Sequence, residues 1–119
     1  MSLPNLPADA DADADADPIV IPLVEIVDLA NVARVRDDLG RLLGSAGTRV
    51  AVVDLRTPCL TAAAVGVLEE TQALADRLGV RLLVAAPHRL TRHVLRVTAA
   101  DVCLAVHPDL LSALREAAD

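Results

Sequence analysis

Short apolar runs rich in β-branched residues alternate along this chain with longer segments that have helical periodicity. Four runs have the length of a strand, at residues 19–27, 49–55, 80–86 and 102–106. Helical segments separate or follow them, at residues 28–44, 61–78, 88–98 and 109–118. Such alternation is typical of crossover units on a mainly parallel or mixed sheet. The sequence therefore predicts an α/β domain with a four- to five-stranded mixed sheet and about four helices.

Several single residues sharpen these boundaries. Pro22 interrupts the first run and predicts an edge strand or a short hairpin, because proline cannot donate to a strand ladder. Thr61 is placed as the N-cap of the helix that follows, and Gly79 as its end. Glu69 and Glu70 are expected on the outer face of this helix. Gly66 lies inside it and predicts a close neighbour, since glycine costs a helix about 1 kcal/mol relative to alanine.

The first 17 residues, MSLPNLPADADADADAD, differ from the rest in composition. They hold five of the 17 acidic residues of a chain whose net charge is −6. Alternating Ala and Asp cannot bury an apolar face, so residues 1–17 are predicted to be a disordered tail and 18–119 one domain. Specific calcium binding is not expected of the tail, because it lacks the Gly turn and the terminal Glu of an EF-hand loop.

Composition argues against several classes of partner and location. The 119 residues include no aromatic side chain on which a nucleic-acid base could stack, and the acidic charge opposes a phosphate backbone. No apolar run approaches the roughly 20 residues of a membrane helix, and no signal-peptide pattern is present. We therefore expect a cytoplasmic protein without nucleic-acid or membrane partners. Cys59 and Cys103 form no CxxC pair and are predicted to be buried small hydrophobes.

The residues that would support catalysis or metal binding do not converge. The chain has no GxxxxGK[ST], GxGxxG, GxSxG or HExxH motif. His88 and His93 lie five residues apart without a neighbouring Cys or carboxylate, and they are expected to face solvent. Cys59 with a distant His would lack a third group to orient the pair. The sequence therefore predicts no catalytic residues, no metal and no cofactor, and a protein that binds rather than catalyses.

Residues 50–114 resemble the STAS domain, the fold of anti-sigma factor antagonists. The features that carry the resemblance follow one another in the order of that family. A strand ends in Asp-Leu, a loop leads into a helix, and a Gly turn, an apolar strand, a Pro, a basic helix, a short strand, a Pro and a last helix follow. Here these are Asp54-Leu55, Gly79, Leu82–Val84, Pro87, Leu90–Val97, Val102–Val106 and Pro108. Residues 25–39 match the early strand and first helix more loosely.

The chain departs from the family where the family is regulated. With Val65-Gly66-Val67-Leu68 as the anchor, the family's Asp-Ser-Ser-Gly falls on residues 61–64, Thr-Ala-Ala-Ala. The loop before it is also one residue shorter. The resemblance implies a phosphorylation switch at the first Ser, and Ala62 at that position has no hydroxyl. Thr61 keeps a hydroxyl one position away, which we interpret as a helix cap in preference to a phosphate acceptor.

The resemblance implies binding of a regulatory protein, an anti-sigma factor kinase or another STAS protein, through loop 57–61 and helix 62–78. The predicted contact residues are Thr57, Pro58, Cys59, Leu60, Thr61, Ala62, Ala63 and Val65. Two alternatives stay open. One is a small-ligand sensor with an apolar pocket for a nucleotide or lipid near the same loop, and the other is a scaffold subunit of a signalling assembly. A homodimer is also left open.

Overall fold

A computed structural model describes residues 18–45 and 47–118, and the predictions for the acidic segment 1–17 lie outside them. The described strands are β1 (Ile19–Leu23), β2 (Val50–Leu55), β3 (Arg81–Ala85) and β4 (Ala105–His107). They form one sheet in the order β1-β2-β3-β4, and every neighbouring pair is parallel. The α/β class is confirmed, although the sheet is wholly parallel in this part of the chain. Pro22 does lie on an edge strand, as predicted.

A helix follows every strand of this sheet. The helices are α1 (Val32–Ser45), α2 (Ala62–Leu78), α3 (Arg89–Val97) and α4 (Leu110–Ala118), and a 3-10 turn at Ala100–Val102 precedes β4. Consecutive parallel neighbours joined by right-handed crossovers place the connecting helices on one face. The packing agrees: Val35 of α1, Leu68 of α2 and Leu95 of α3 share one buried cluster.

The two faces of the sheet are covered unequally. Ala51, Val53 and Leu55 of β2 point toward the large cluster under α1, α2 and α3. The alternating Val52 instead joins a smaller cluster with Ala113 of α4. A strand covered on both sides reads as a continuous apolar run, because its alternate side chains are all buried. This explains why residues 50–55 show no polar alternation until Asp54.

Two elements begin later than predicted because of the local structure that precedes them. Helix α1 begins at Val32 rather than near residue 28, because side chains close the preceding turn: Asp28 Oδ1 accepts from the N–H groups of Ala30 and Asn31, and Asn31 Oδ1 accepts from the Asp28 N–H. The strand predicted at 102–106 starts only at Ala105. Ala99 adopts φ 60°, in the left-handed region, and the 3-10 turn that follows takes up the residues in between.

Helix α2 has the predicted caps but not the predicted packing at its glycine. The Thr61 hydroxyl accepts from the Ala64 N–H at 3.1 Å, and Gly79 ends the helix at φ 72°. Glu69 and Glu70 are exposed, as predicted. The expectation of a close neighbour at Gly66 is wrong, since a Cβ built there meets nothing within 4 Å. Gly66 lies on a half-open side of the helix.

The prediction that both cysteines are buried is also wrong. Cys59 and Cys103 are exposed and free of disulfides. Cys59 lies on the surface loop that connects β2 with α2, and Cys103 lies in the turn after the 3-10 helix, where its thiol is 3.5 Å from the Ala100 carbonyl oxygen. Neither position belongs to a helix or strand, and the buried positions beside them are taken by Leu60 and Leu104.

Candidate functional site

The predicted contact residues follow the carboxyl end of β2. The loop 56–61 is fixed to the neighbouring strand, because the Arg56 and Thr57 N–H groups donate to the Leu23 carbonyl at 2.9 and 3.0 Å. Within the loop, the Thr57 hydroxyl donates to the Cys59 carbonyl at 3.0 Å. The side chains of Thr57 and Leu60 are buried beneath it. The loop is therefore held in place by its backbone and by its buried side.

The hydroxyl of Thr61 connects two loops at this edge of the sheet. It donates to the Val27 carbonyl at 2.5 Å, across a separation of 34 residues, and accepts from the Ala64 N–H. The N-cap assignment is confirmed, and the same oxygen ties the β1–α1 loop to the start of α2. A phosphoryl group on Thr61 would displace both bonds. This geometry favours the cap over a phosphate acceptor.

The contact residues predicted from the sequence divide into an outer and an inner set. Pro58, Cys59 and Ala62 are exposed, and Thr61 and Ala63 are half-buried. Thr57, Leu60 and Val65 are buried and form the underside of the loop and of the first helical turn. The outer set can meet a partner directly, whereas the inner set positions it.

Three exposed apolar residues that the sequence did not single out lie in the neighbouring loop. In the loop after β1, Val24, Ile26 and Leu29 are 60%, 47% and 91% exposed. The bond between Thr61 and Val27 brings this loop against the start of α2. The sequence signal for residues 24 and 26 was absorbed into the predicted strand 19–27, which in fact ends at Leu23. The approach of their loop to the start of α2 depends on the pairing of β1 with β2, which no local pattern specifies.

Charged side chains border this surface. Glu25 accepts from Arg34 of α1 at 2.5 Å, and this hydrogen bond raises the pKa of the Arg34 guanidinium above its ordinary value. Asp54, near the end of β2, is only 7% exposed. Its carboxylate lies 3.8 Å from Arg56 Nε, the closest ion pair that the described residues give it. The border therefore carries both signs of charge.

Side chains that could hold a metal ion do not come together in the described part of the chain. Across residues 18–45 and 47–118, no three His, Cys, Asp or Glu side chains lie close enough to hold a metal ion. His88 and His93 are exposed, as predicted, and His93 Nδ1 lies 3.3 Å from Arg96 Nη2. In the same part of the chain, no helix has the length and apolar character needed to cross a membrane.

A groove of about 190 Å³ lies elsewhere, between the outward sides of α1 and α2. Its lining residues are Arg36, Gly40, Glu70, Thr71, Leu74 and Arg77. Arg36 and Glu70 close one side of it with an ion pair of 2.8 Å. Glu70 is about 12 Å along the helix axis from Ala62. This groove is therefore not the pocket near loop 57–61 that a small-ligand sensor was expected to have.

An open parallel sheet in sequential strand order, with a helix after each strand, makes this a small α/β domain. Solved structures of STAS domains match it in overall fold. The STAS domain of a SulP transporter from Vibrio cholerae matches with a TM-score of 0.62 at 17% identity, over 98% of this chain and 84% of that chain. The unphosphorylated anti-sigma factor antagonist SpoIIAA matches with a TM-score of 0.62 at 14% identity, over 76% of this chain and 80% of that chain. The protein therefore has the STAS-domain fold.

A third match is a sulfate transporter family protein from Wolinella succinogenes, with a TM-score of 0.65 at 19% identity, over 91% of this chain and 95% of that chain. No family model matches the sequence, and neither does any curated protein. At identities this low the likeness establishes the fold alone. The function must be argued from this chain's own surface.

Proposed function

We propose that this protein binds a regulatory protein partner, as an anti-sigma factor antagonist does, and performs no catalysis. The observation that carries the proposal is an exposed apolar surface at the carboxyl edge of the sheet. We call it the carboxyl-edge patch, and it consists of Val24, Ile26, Leu29, Pro58, Cys59 and Ala62. A cytoplasmic location and a domain spanning residues 18–119 belong to the same proposal.

The carboxyl-edge patch has the character of a protein-binding surface. Contiguous exposed aliphatic groups with a polar border are typical of such sites, because their burial against a partner removes apolar area from water. Leu29 and Val24 supply the projecting side chains. Ala62, in the first turn of α2, is small enough to let a partner approach the helix closely. The charged border formed by Glu25, Asp28 and Arg56 would orient that partner.

Phosphorylation at the start of α2 would not control this binding. SpoIIAA is known in an unphosphorylated and a phosphorylated form. In this chain Ala62 occupies the position that the resemblance assigns to the phosphorylated Ser, and it has no hydroxyl. The hydroxyl of Thr61 is engaged in two hydrogen bonds. We therefore propose that the protein binds constitutively or is controlled through its abundance.

A charge placed at Ala62 tests the proposal. The helix dipole favours an acidic group in the first turn by about 0.3–1 kcal/mol, so Ala62→Asp should fold at least as well as the parent. The same carboxylate opposes docking, because its desolvation without a partner charge is costly. Ala73→Asp is the matched control, since Ala73 is also exposed, on the same helix, three turns further along.

The measurement compares proteins retained from a lysate of the source cell by the parent and by both variants. We expect at least one protein that the parent and Ala73→Asp retain and Ala62→Asp loses. Calorimetry with that purified protein should then show an affinity at least about tenfold lower for Ala62→Asp, equivalent to about 1.4 kcal/mol. Retention of a kinase or of another STAS protein would identify the partner class. Equal retention by all three would contradict the placement of the site.

A further inference from the structure

Helices α1, α2 and α3 lie side by side on one face of the sheet, but they pack against one another unequally. Helix α2 packs closely along α1 and only sparsely against α3. On the α1 side, Glu70 pairs with Arg36, and a Cβ at Gly40 would lie 3.5 Å from Leu74 Cδ2. In the described part of the chain, no ion pair or side-chain hydrogen bond joins α2 to α3. These two helices therefore leave an open strip between them, which we call the α2–α3 groove.

The side of α3 that borders this groove is aliphatic. Arg92 marks the other side of the helix, because its Nη1 lies 3.4 Å from the Pro108 carbonyl oxygen in the loop after β4. Leu90 is two residues away, about 200° around the helix, and so lies on the side toward α2. Val97 is in line with Leu90, and the two are 64% and 68% exposed. Val94 between them is only half-buried against the main cluster. The groove thus has one wall of exposed aliphatic side chains.

The side of α2 that borders the groove carries acidic groups. Since Glu70 points toward α1, the flank away from α1 consists of Val65, Glu69, Gln72 and Asp76. Val65 is buried at its base, whereas Glu69 and Asp76 are exposed. Neither carboxylate has an ion pair within the described ranges, and Asp76 accepts only from Gln72 Nε2, at 2.9 Å. The second wall of the groove is therefore polar and negatively charged at its rim.

Cations project from α3 next to its aliphatic side. Arg89 and Arg96 are exposed, and His93 lies between them on the outward side of the helix. Exposed arginines without ion pairs are also found elsewhere in the described ranges, at Arg49, Arg77 and Arg115. Charge alone therefore does not select a site. What distinguishes Arg89 and Arg96 is that they share a helix with the aliphatic wall of the α2–α3 groove.

We propose that a second copy of this chain docks here, so that each copy places its α3 in the α2–α3 groove of the other. A two-fold axis parallel to the helices produces this arrangement. Leu90 and Val97 then meet their counterparts, and the cations of each α3 face Glu69 and Asp76 of the other copy. The surface is self-complementary, as a closed two-fold dimer requires. Burial of the aliphatic groups drives association, and the charges fix its orientation. Two short helical faces suit a weak, reversible dimer.

Sedimentation equilibrium of the full-length chain tests this dimer. We expect a monomer–dimer equilibrium whose Kd rises at least about tenfold when Arg89→Glu and Arg96→Glu are combined, because like charges then face each other. The combination of Glu69→Arg with Asp76→Arg should weaken the dimer in the same way. An equal mixture of these two double variants should restore it, since every contact again joins opposite charges. Circular dichroism checks that both keep the parent's fold. A parent that stays monomeric, or a mixture that does not recover, would overturn the proposal.

Three further outcomes locate the contact. Arg77→Glu with Arg115→Glu makes the same change of net charge away from the groove, and it should leave the Kd within about twofold of the parent's. An equal loss in this control would mean that association follows net charge, and the assignment to the groove would fail. Leu90→Ser with Val97→Ser should raise the Kd at least about tenfold, because it removes the aliphatic contact. Species larger than a dimer would indicate a head-to-tail contact, for which α4 exposes Leu111, and would overturn the closed dimer.

Discussion

Helices α2 and α3 lie on the same face of the sheet, yet they differ in how many side chains they bury and in how their ends are capped. Helix α2 buries six residues, including Val65, Val67 and Leu68, and it is capped at both ends by its own sequence. Helix α3 buries two, and no side chain caps its N-terminus. Its outward side carries exposed aliphatic and basic groups. The difference teaches that α2 is held by many buried side chains, whereas α3 is held by few and leaves most of its side chains exposed.

The largest expected effect comes from truncating a leucine in each helix. Leu68 in α2 is fully buried, and Leu90 in α3 is mostly exposed. Leu68→Ala should lower the free energy of unfolding by about 2–5 kcal/mol, because it leaves a cavity in the core. Leu90→Ala should change it by no more than about 0.5 kcal/mol. Urea unfolding of both variants checks this, and similar losses would remove the distinction between the helices.

The cap of α2 provides a second test. Thr61→Ala removes the hydroxyl that accepts from the Ala64 N–H and donates to the Val27 carbonyl, so we expect a loss of about 1–2 kcal/mol in the free energy of unfolding. Thr61→Ser keeps the oxygen and should recover most of that loss. Thermal and urea unfolding of Thr61→Ala and Thr61→Ser measure this change in the free energy of unfolding. An unchanged stability in Thr61→Ala would mean that the two loops are held together without this hydroxyl.

Gly66 inside α2 and Gly79 at its end should respond to substitution in opposite directions. Gly66 is helical and a Cβ there meets no atom, so Gly66→Ala should raise the free energy of unfolding by up to about 1 kcal/mol. Gly66→Leu, which a tightly packed glycine would not tolerate, should fold normally. Gly79→Ala should destabilise, because φ at that position is 72°. Melting temperatures of the three variants test these expectations. A sharp fall in the melting temperature of Gly66→Leu would show that Gly66 is closely packed after all.

The smallest effect is expected from removing residues 1–17. Alternating Ala and Asp cannot add buried apolar area, so the chain from Pro18 onward should unfold within about 0.5 kcal/mol of the full chain. Circular dichroism melts of both chains provide the comparison. A loss of several degrees would show that the tail packs against the domain as part of its core.

The sequence predicted features that local chemistry determines. Alternating patterns, Pro22, Thr61 and Gly79 each act within a few residues, and the elements they mark are present. Burial at single positions was harder to predict, because it depends on how an element is rotated on its neighbours. Gly66 and the two cysteines show this. The apolar residues of the β1–α1 loop joined the candidate site only through the parallel register of β1 and β2, a contact that spans 34 residues between Val27 and Thr61.

The exposure of both thiols provides a way to observe the two surfaces separately without changing the sequence. Cys59 lies within the carboxyl-edge patch, and Cys103 follows the turn that packs against α3. A thiol reagent would therefore modify one position at each surface, and peptide mapping would distinguish the two. Slower alkylation at Cys59 alone would report occupancy by a partner. Altered alkylation at Cys103 alone would report a change at the surface beside α3, so one native protein carries a chemical reporter for each surface.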